Sequence, residues 1–337
     1  MLPFRRFFLV LLVVGTVSLP TVAALDFLWK QKDPFTESLV RTFNAGQADV
    51  LYFGDSSVLL SGSRDENKAG IDLLFQSKTG LTVCSVASPG YSAVLYSEYV
   101  RLLGKTRYQP RLVIIPINLR SFTGSSVRRP ALNFPLRQIY IRYRSTGRLE
   151  LTDYLRYRFL GLEARLTEEW KGQQVVYDGQ HLGTHRSIQE ECRIPEILDY
   201  TPGREHLYAR QLGKKFRYHY MASVDKDDAM LSYLDETIRY LKGRDIPVLF
   251  YLTPINFSDG RKYAGEAFTE RIEKNSAIIG NFMKERDVAF LDLATSLEAS
   301  YFVDKRDVYE HLNFKGRDFV ADRVAETALT FFPGVRK

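Results

Sequence analysis

Sulfur and imidazole are scarce in this chain: two cysteines and five histidines are spread over 337 residues. No Cys/His cluster has metal-ligand spacing, and His181-x-x-x-His185 lacks further ligands and a helical setting. The sequence therefore predicts no metal and no other cofactor. Cys84 lies in an apolar run and reads as a small core residue, while an oxidising compartment would let it pair with Cys192. His181, His185, His206 and His219 read as packed or surface residues. Internal repeats and low-complexity tracts are absent. At 45% apolar and 26% charged composition the chain is not disordered, and its length fits one large α/β domain with an insertion, or two domains.

Long apolar runs are equally few, for there is one. It covers residues 7–25, an uncharged stretch that follows Arg5 and Arg6 and ends at Asp26. At 1.5 Å per residue a helix of that length spans about 28 Å, close to the hydrocarbon thickness of a bilayer and longer than the usual signal-peptide core. The arginines place the N-terminus on the cytoplasmic side and send the rest across. Residues 1–25 are thus expected to be a single-pass inner-membrane anchor and 26–47 a linker, with the body in the periplasm or outside the cell. Val22-Ala23-Ala24 also resembles a small-residue cleavage site, which leaves secretion after signal cleavage open.

From Asp49 onward the chain alternates. Apolar strands are expected at residues 50–53, 81–86, 112–117, 248–252 and 289–293, with helical spacing at 91–103, 230–241, 268–283 and 317–331. Strands interleaved with helices predict an α/β fold: a three-layer sandwich around a mainly parallel five-stranded sheet. Ligands of such sheets bind beyond the carboxyl ends of the strands. The domain is expected to span 48–125 and 226–332. The segment 126–225 interrupts the alternation and is too long for a simple connection, so it predicts an insertion or lid.

Asp49-Val-Leu-Tyr-Phe-Gly-Asp-Ser-Ser57 reads as a buried strand ending in a Gly-Asp-Ser turn. Such a turn presents a serine, Ser56, at a helix start, where N–H groups would stabilise an oxyanion; the plainer reading is an N-cap. Near the other end, Tyr309-Glu310-His311-Leu312-Asn313 places a histidine ahead of a helix, with Asp304 and Asp307 upstream. Folding could assemble a nucleophile, a base and an orienting acid from these. Thr253-Pro-Ile-Asn256 echoes Pro116-Ile-Asn118; Asn256 could line the same crevice, though a turn is the simpler reading.

These blocks resemble the SGNH/GDSL hydrolase superfamily. Gly54-Asp55-Ser56-Ser57 matches its first block, with Ser57 where leucine is usual; Ala87-Ser-Pro-Gly90 matches the second and Pro116-Ile-Asn118-Leu-Arg120-Ser-Phe122 the third. His311 stands for the fourth, but Val308 occupies the position three residues earlier where the family has Asp. The resemblance implies Ser56 as nucleophile and His311 as base. It implies an oxyanion hole from the Ser56 N–H, the Gly90 N–H and the Asn118 side chain. Asp307 is the favoured acid, with Asp304 and Glu310 as alternatives.

The order of features is similar to the membrane-anchored SGNH-like proteins of bacterial cell-surface O-acylation systems. This implies a serine acyltransferase or esterase acting on O-acyl groups, acetyl above all, of a cell-surface polysaccharide. The implied partners are that polysaccharide, a membrane-bound O-acyltransferase and the membrane. A secreted carbohydrate esterase or lipase, and a non-catalytic scaffold with Val308 as the trace of lost chemistry, are the rival readings. Residues 127–217 hold 17 Lys and Arg against 11 Asp and Glu, six of the formal net charge of +7. With Tyr140-Ile-Arg-Tyr-Arg144 and Tyr154-Leu-Arg-Tyr-Arg158 they suggest a surface for an anionic polymer, a phosphate layer or a partner, or a solvated face whose tyrosines pack inward. Nucleic acid is not expected outside the cytoplasm.

Overall fold

Side chains that alternate between two apolar surfaces build the centre of the molecule. The computed structural model describes residues 34–334 apart from 47, 63–64, 123–132, 149, 159, 178, 194–202, 204, 304–307 and 309. Its strands are β1 (Val50–Gly54), β2 (Val83–Ala87), β3 (Leu112–Ile117), β4 (Gln174–Tyr177), β5 (Gln180–Thr184), β6 (Val248–Leu252) and β7 (Ala289–Asp292). Five of them form one parallel sheet in the order β2-β1-β3-β6-β7. β4 and β5 pair separately as an antiparallel hairpin.

Because neighbouring residues of a strand point to opposite faces, β1, β3 and β6 feed two cores. Leu51, Phe53, Val113, Ile115, Phe250 and Leu252 face one. Helices Ala93–Leu102, Ala229–Lys242 and Glu266–Glu285 supply the other side of that core. Val50, Tyr52, Leu112, Ile114, Leu249 and Tyr251 face the second, against helices Ile71–Thr79 and Phe314–Leu329. Full burial of such side chains is worth roughly 1.5–3 kcal/mol each, which explains why the central strands read as continuous apolar runs. The three-layer α/β/α sandwich with a parallel five-stranded sheet is the expected fold class. All five expected strands form.

Within the stretch expected as a linker, Pro34–Ala45 is a helix. It docks on the first core through Leu39 and Phe43, and Phe43 stacks on Tyr108 with ring centroids 5.2 Å apart. The apolar run 7–25 lies outside the described residues, and among those described no helix is long and apolar enough to cross a membrane.

Between β3 and β6 lie helices Pro135–Thr146, Leu151–Arg158, Leu162–Lys171, His185–Arg193 and Glu205–Tyr220 together with the β4–β5 hairpin. Tyr140 and Tyr154 of the Tyr/Arg clusters are buried. Arg142 turns inward as well: its Nε donates to Glu98 at 2.7 Å and an Nη to Glu150 at 3.1 Å, and Glu98 is itself buried. This arginine is therefore a strut between the segment and helix Ala93–Leu102, not part of an open basic surface. His185 is a packing residue, stacked on Trp170 at 4.5 Å and bonded through Nδ1 to the Tyr218 hydroxyl at 2.9 Å. Cys84 is a free, buried thiol whose pKa burial pushes up to about 11, which is the core reading, while the side chain of Cys192 lies outside the described residues.

Candidate functional site

The carboxyl ends of β1, β2 and β3 converge on one crevice. Close approach of the first two requires Gly54: a Cβ there would stand 2.9 Å from the Ala87 Cβ and 2.8 Å from that of Val58. The Gly54 carbonyl accepts the Ser88 N–H at 3.2 Å, tying the two turns together.

Asp55, in extended conformation, caps the short helix Ser56–Leu59. Its Oδ1 accepts both the Ser57 N–H at 2.8 Å and the Ser57 hydroxyl at 2.6 Å, and its carbonyl takes the amides of Val58 and Leu59 at 3.3 Å. Capping is thus the work of Asp55, and Ser57 is absorbed by it. Ser56 is half-buried while Ser57 is buried, which leaves Ser56 as the more exposed of the two serines at this strand end. The amides of residues 57–59 go to Asp55, so the donor this turn offers an oxyanion is the Ser56 N–H.

Asn118 follows β3 and is buried. Its Oδ1 accepts the Arg120 N–H at 2.8 Å, which fixes the amide and turns Nδ2 away as a donor. Gly90 follows β2 with φ of 82°, a left-handed conformation that costs glycine little. Its carbonyl accepts the Asn133 Nδ2–H at 3.0 Å. Asp55, Ser92, Asn118 and Ser121 line a cavity of about 10 Å³, room for about one water.

His311 reaches this end of the sheet on a pinned segment. Leu312 pairs with Phe302 in an antiparallel bridge, and the His311 carbonyl accepts the Val303 N–H at 3.0 Å. Before it, Glu310 is buried. Its Oε1 accepts the Tyr220 hydroxyl at 2.5 Å and its Oε2 lies 3.5 Å from the Arg120 guanidinium. As a possible acid for the imidazole Glu310 is thus already committed on both oxygens. Val308 is buried, and its carbonyl also faces the Tyr220 hydroxyl at 2.8 Å. Asp304 and Asp307 lie outside the described residues.

Charge couples these elements. Burial raises the pKa of Asp55; the Ser57 hydroxyl opposes that, repulsion from Glu310 adds to it and Arg120 opposes it. Arg120 and Glu310 therefore act at the turn that bears Ser56. His219 is held well below the ordinary histidine value, first by burial and then by the positive charges of Arg120 and Lys215. Asn256 caps helix Phe257–Ala264, its Oδ1 accepting the Asp259 N–H at 3.3 Å, which is the turn reading. Among the described residues no group of His, Cys, Asp and Glu stands together as a metal site.

Sequence reasoning had Arg120 in view only as a member of a block, and it missed Tyr220, Asn133 and Phe134. Arg120 had a signal, a charge just past a buried strand. The other three come from the segment between β3 and β6, where no pattern announces contact with the strand ends.

The arrangement is an α/β/α protein whose strand ends carry a serine, an amide donor and a histidine-bearing segment. No family model and no curated protein matches the chain. Among solved structures it is similar to a catalytic mutant of an acetylxylan esterase from Geobacillus stearothermophilus, at 10% identity over 86% of this chain and 97% of that one, with a TM-score of 0.40. It is also similar to a candidate acylhydrolase from Bacteroides fragilis, at 11% identity, 84% and 87% coverage and a TM-score of 0.38. A third is a candidate lipolytic protein of the G-D-S-L family from Desulfitobacterium hafniense, at 10% identity, 82% and 98% coverage and a TM-score of 0.35. Likenesses this distant add nothing to the geometry above.

Proposed function

We propose that the chain is an SGNH-type serine esterase or acyltransferase acting on O-acyl groups of a cell-surface polysaccharide. One observation carries the reading: Asp55 takes over the capping of its helix and the Ser57 hydroxyl, leaving Ser56 as the half-buried hydroxyl at the strand ends that bear Asn118 and Gly90.

In the proposed reaction His311 accepts the Ser56 proton as Oγ attacks the acyl carbonyl. The oxyanion of the tetrahedral intermediate lies among the Ser56 N–H, the Gly90 N–H and Asn118 Nδ2, preorganised donors of the kind that lower such barriers. Collapse breaks the ester C–O bond, and the imidazolium returns its proton to the departing sugar oxygen. A second hydroxyl then attacks the acyl-serine: water yields the free acid, a sugar hydroxyl yields a new ester. Asp307 is the proposed partner that orients the imidazole. The proposal extends to location: residues 1–25 tether the body outside the cytoplasm, where a membrane-bound O-acyltransferase supplies the acyl group. Charge and hydropathy of the sequence support that part.

A fluorophosphonate probe tests the chemistry. Covalent labelling that disappears in Ser56→Ala supports it, and an unlabelled wild-type protein favours the scaffold reading. Release of free acid against acyl transfer to added oligosaccharide separates the two enzyme readings.

A further inference from the structure

Phe134 is the residue whose position has no use in the chemistry just described. It has φ of 52° and ψ of 57°, a left-handed conformation that a bulky side chain adopts only under constraint. The constraint is visible on both sides. Asn133 is buried and donates to the Gly90 carbonyl at 3.0 Å, while the Ser92 hydroxyl donates to its Oδ1 at 3.2 Å. Pro135 opens the helix that follows. The chain is thereby clamped onto the turn after β2, and the aromatic ring is aimed at that turn rather than into a core.

The ring stands over Gly90: a Cβ at Gly90 would be 3.4 Å from its edge atoms. It meets Tyr91 edge-on at 5.6 Å and stays 38% exposed, among the few large apolar side chains left open. The Arg137 guanidinium lies 5.4 Å from the Phe134 centroid and 5.5 Å from that of Tyr91, and donates to the Tyr91 hydroxyl at 2.5 Å. A ring left 38% exposed, with a fixed cation over it and its edge at Gly90 beside the proposed oxyanion site, matches a ligand with an apolar face and a polar edge. A pyranose ring has both, with axial C–H groups on its face and hydroxyls around its edge. An acyl chain has only the apolar part.

We propose that Phe134 is the stacking face for the sugar ring that carries or accepts the acyl group, with Arg137 donating to that ring's hydroxyls. This makes Phe134 a specificity residue and rests on the esterase or acyltransferase reading of the same crevice.

The test compares wild type with Phe134→Ala, Phe134→Tyr and Phe134→Asn, the last because Asn tolerates the left-handed backbone. Hydrolysis is measured on methyl tetra-O-acetyl-glucopyranoside, ethyl acetate and ethyl butyrate, and binding of unacylated cellotetraose by calorimetry on Ser56→Ala backgrounds. Phe134→Ala and Phe134→Asn are expected to raise KM for the glucoside about five- to tenfold and to weaken cellotetraose to the same extent. Ethyl acetate turnover should stay within about twofold, and Phe134→Tyr should restore glucoside binding. Equal losses on the glucoside and on ethyl acetate overturn the proposal, as does an unchanged glucoside KM or a Ser56→Ala protein with Phe134 intact that does not bind cellotetraose. A loss on ethyl butyrate exceeding that on ethyl acetate assigns the ring to the acyl chain and also overturns it. Cellotetraose binding that depends on Phe134 in a protein without ester turnover sustains the stacking face while the enzymatic reading fails.

Discussion

Arg120 stands 3.5 Å from the buried Glu310 carboxylate, and its own N–H holds Asn118 Oδ1 at 2.8 Å. One residue therefore links the proposed oxyanion donor to the segment of the proposed base. Breaking a largely buried pair from one side leaves an uncompensated charge. Glu310→Gln is expected to lower unfolding free energy by about 1–3 kcal/mol in urea titrations. In a double-mutant cycle with Arg120→Met the pair should show coupling. Additive losses would mean that the two side chains act independently.

Ser56 and Ser57 should separate cleanly. Ser56→Ala is expected to abolish fluorophosphonate labelling with little change in thermal stability. Ser57→Ala should keep the labelling but cost about 1 kcal/mol, because the Asp55 carboxylate loses a hydroxyl donor in a buried setting. The reverse pattern would make Ser57 the nucleophile.

Turnover of an acetyl ester should fall far more in Asp307→Asn than in Asp304→Asn, since a carboxylate on the imidazole N–H fixes the tautomer that acts as base. Glu310→Gln should show its loss chiefly in stability. A greater effect of Asp304→Asn would move the acid to that residue.

His219 sets a pH limit on stability. Its folded-state pKa lies well below the ordinary value because of burial, Arg120 and Lys215. The unfolded chain therefore binds the proton first, and stability present above about pH 6.5 is lost as pH falls toward the folded value. His219→Gln should flatten the unfolding free energy between about pH 6.5 and 5, relative to wild type. An unchanged slope would show that other groups govern that range.

Arg142→Gln is expected to destabilise the fold by about 1–3 kcal/mol, because it leaves buried Glu98 with a single remaining arginine, Arg101. The exposed Arg156 should tolerate the same change within about 0.5 kcal/mol. Thermal melts of the two variants check the contrast between a strut and a surface charge.

The sequence by itself determined the sheet. Strands such as Leu112–Ile117 are buried along their whole length and must be apolar throughout, and a period that short and continuous is legible without coordinates. It also placed Ser56, Gly90 and Asn118 just past strand ends, because a strand's carboxyl end in sequence is its carboxyl end in space. Tertiary structure alone decided which neighbours those residues have. That Asp55 and not Ser56 caps the helix depends on side-chain rotamers. That Glu310 faces Arg120 and Tyr220 joins residues 190 and 90 positions apart. That Arg142 turns inward to Glu98, while Phe134 is held over Gly90 by Asn133, depends on how a segment without regular alternation folds back across the strand ends. Local patterns record burial and backbone propensity; polar partners distant in sequence leave no period in it.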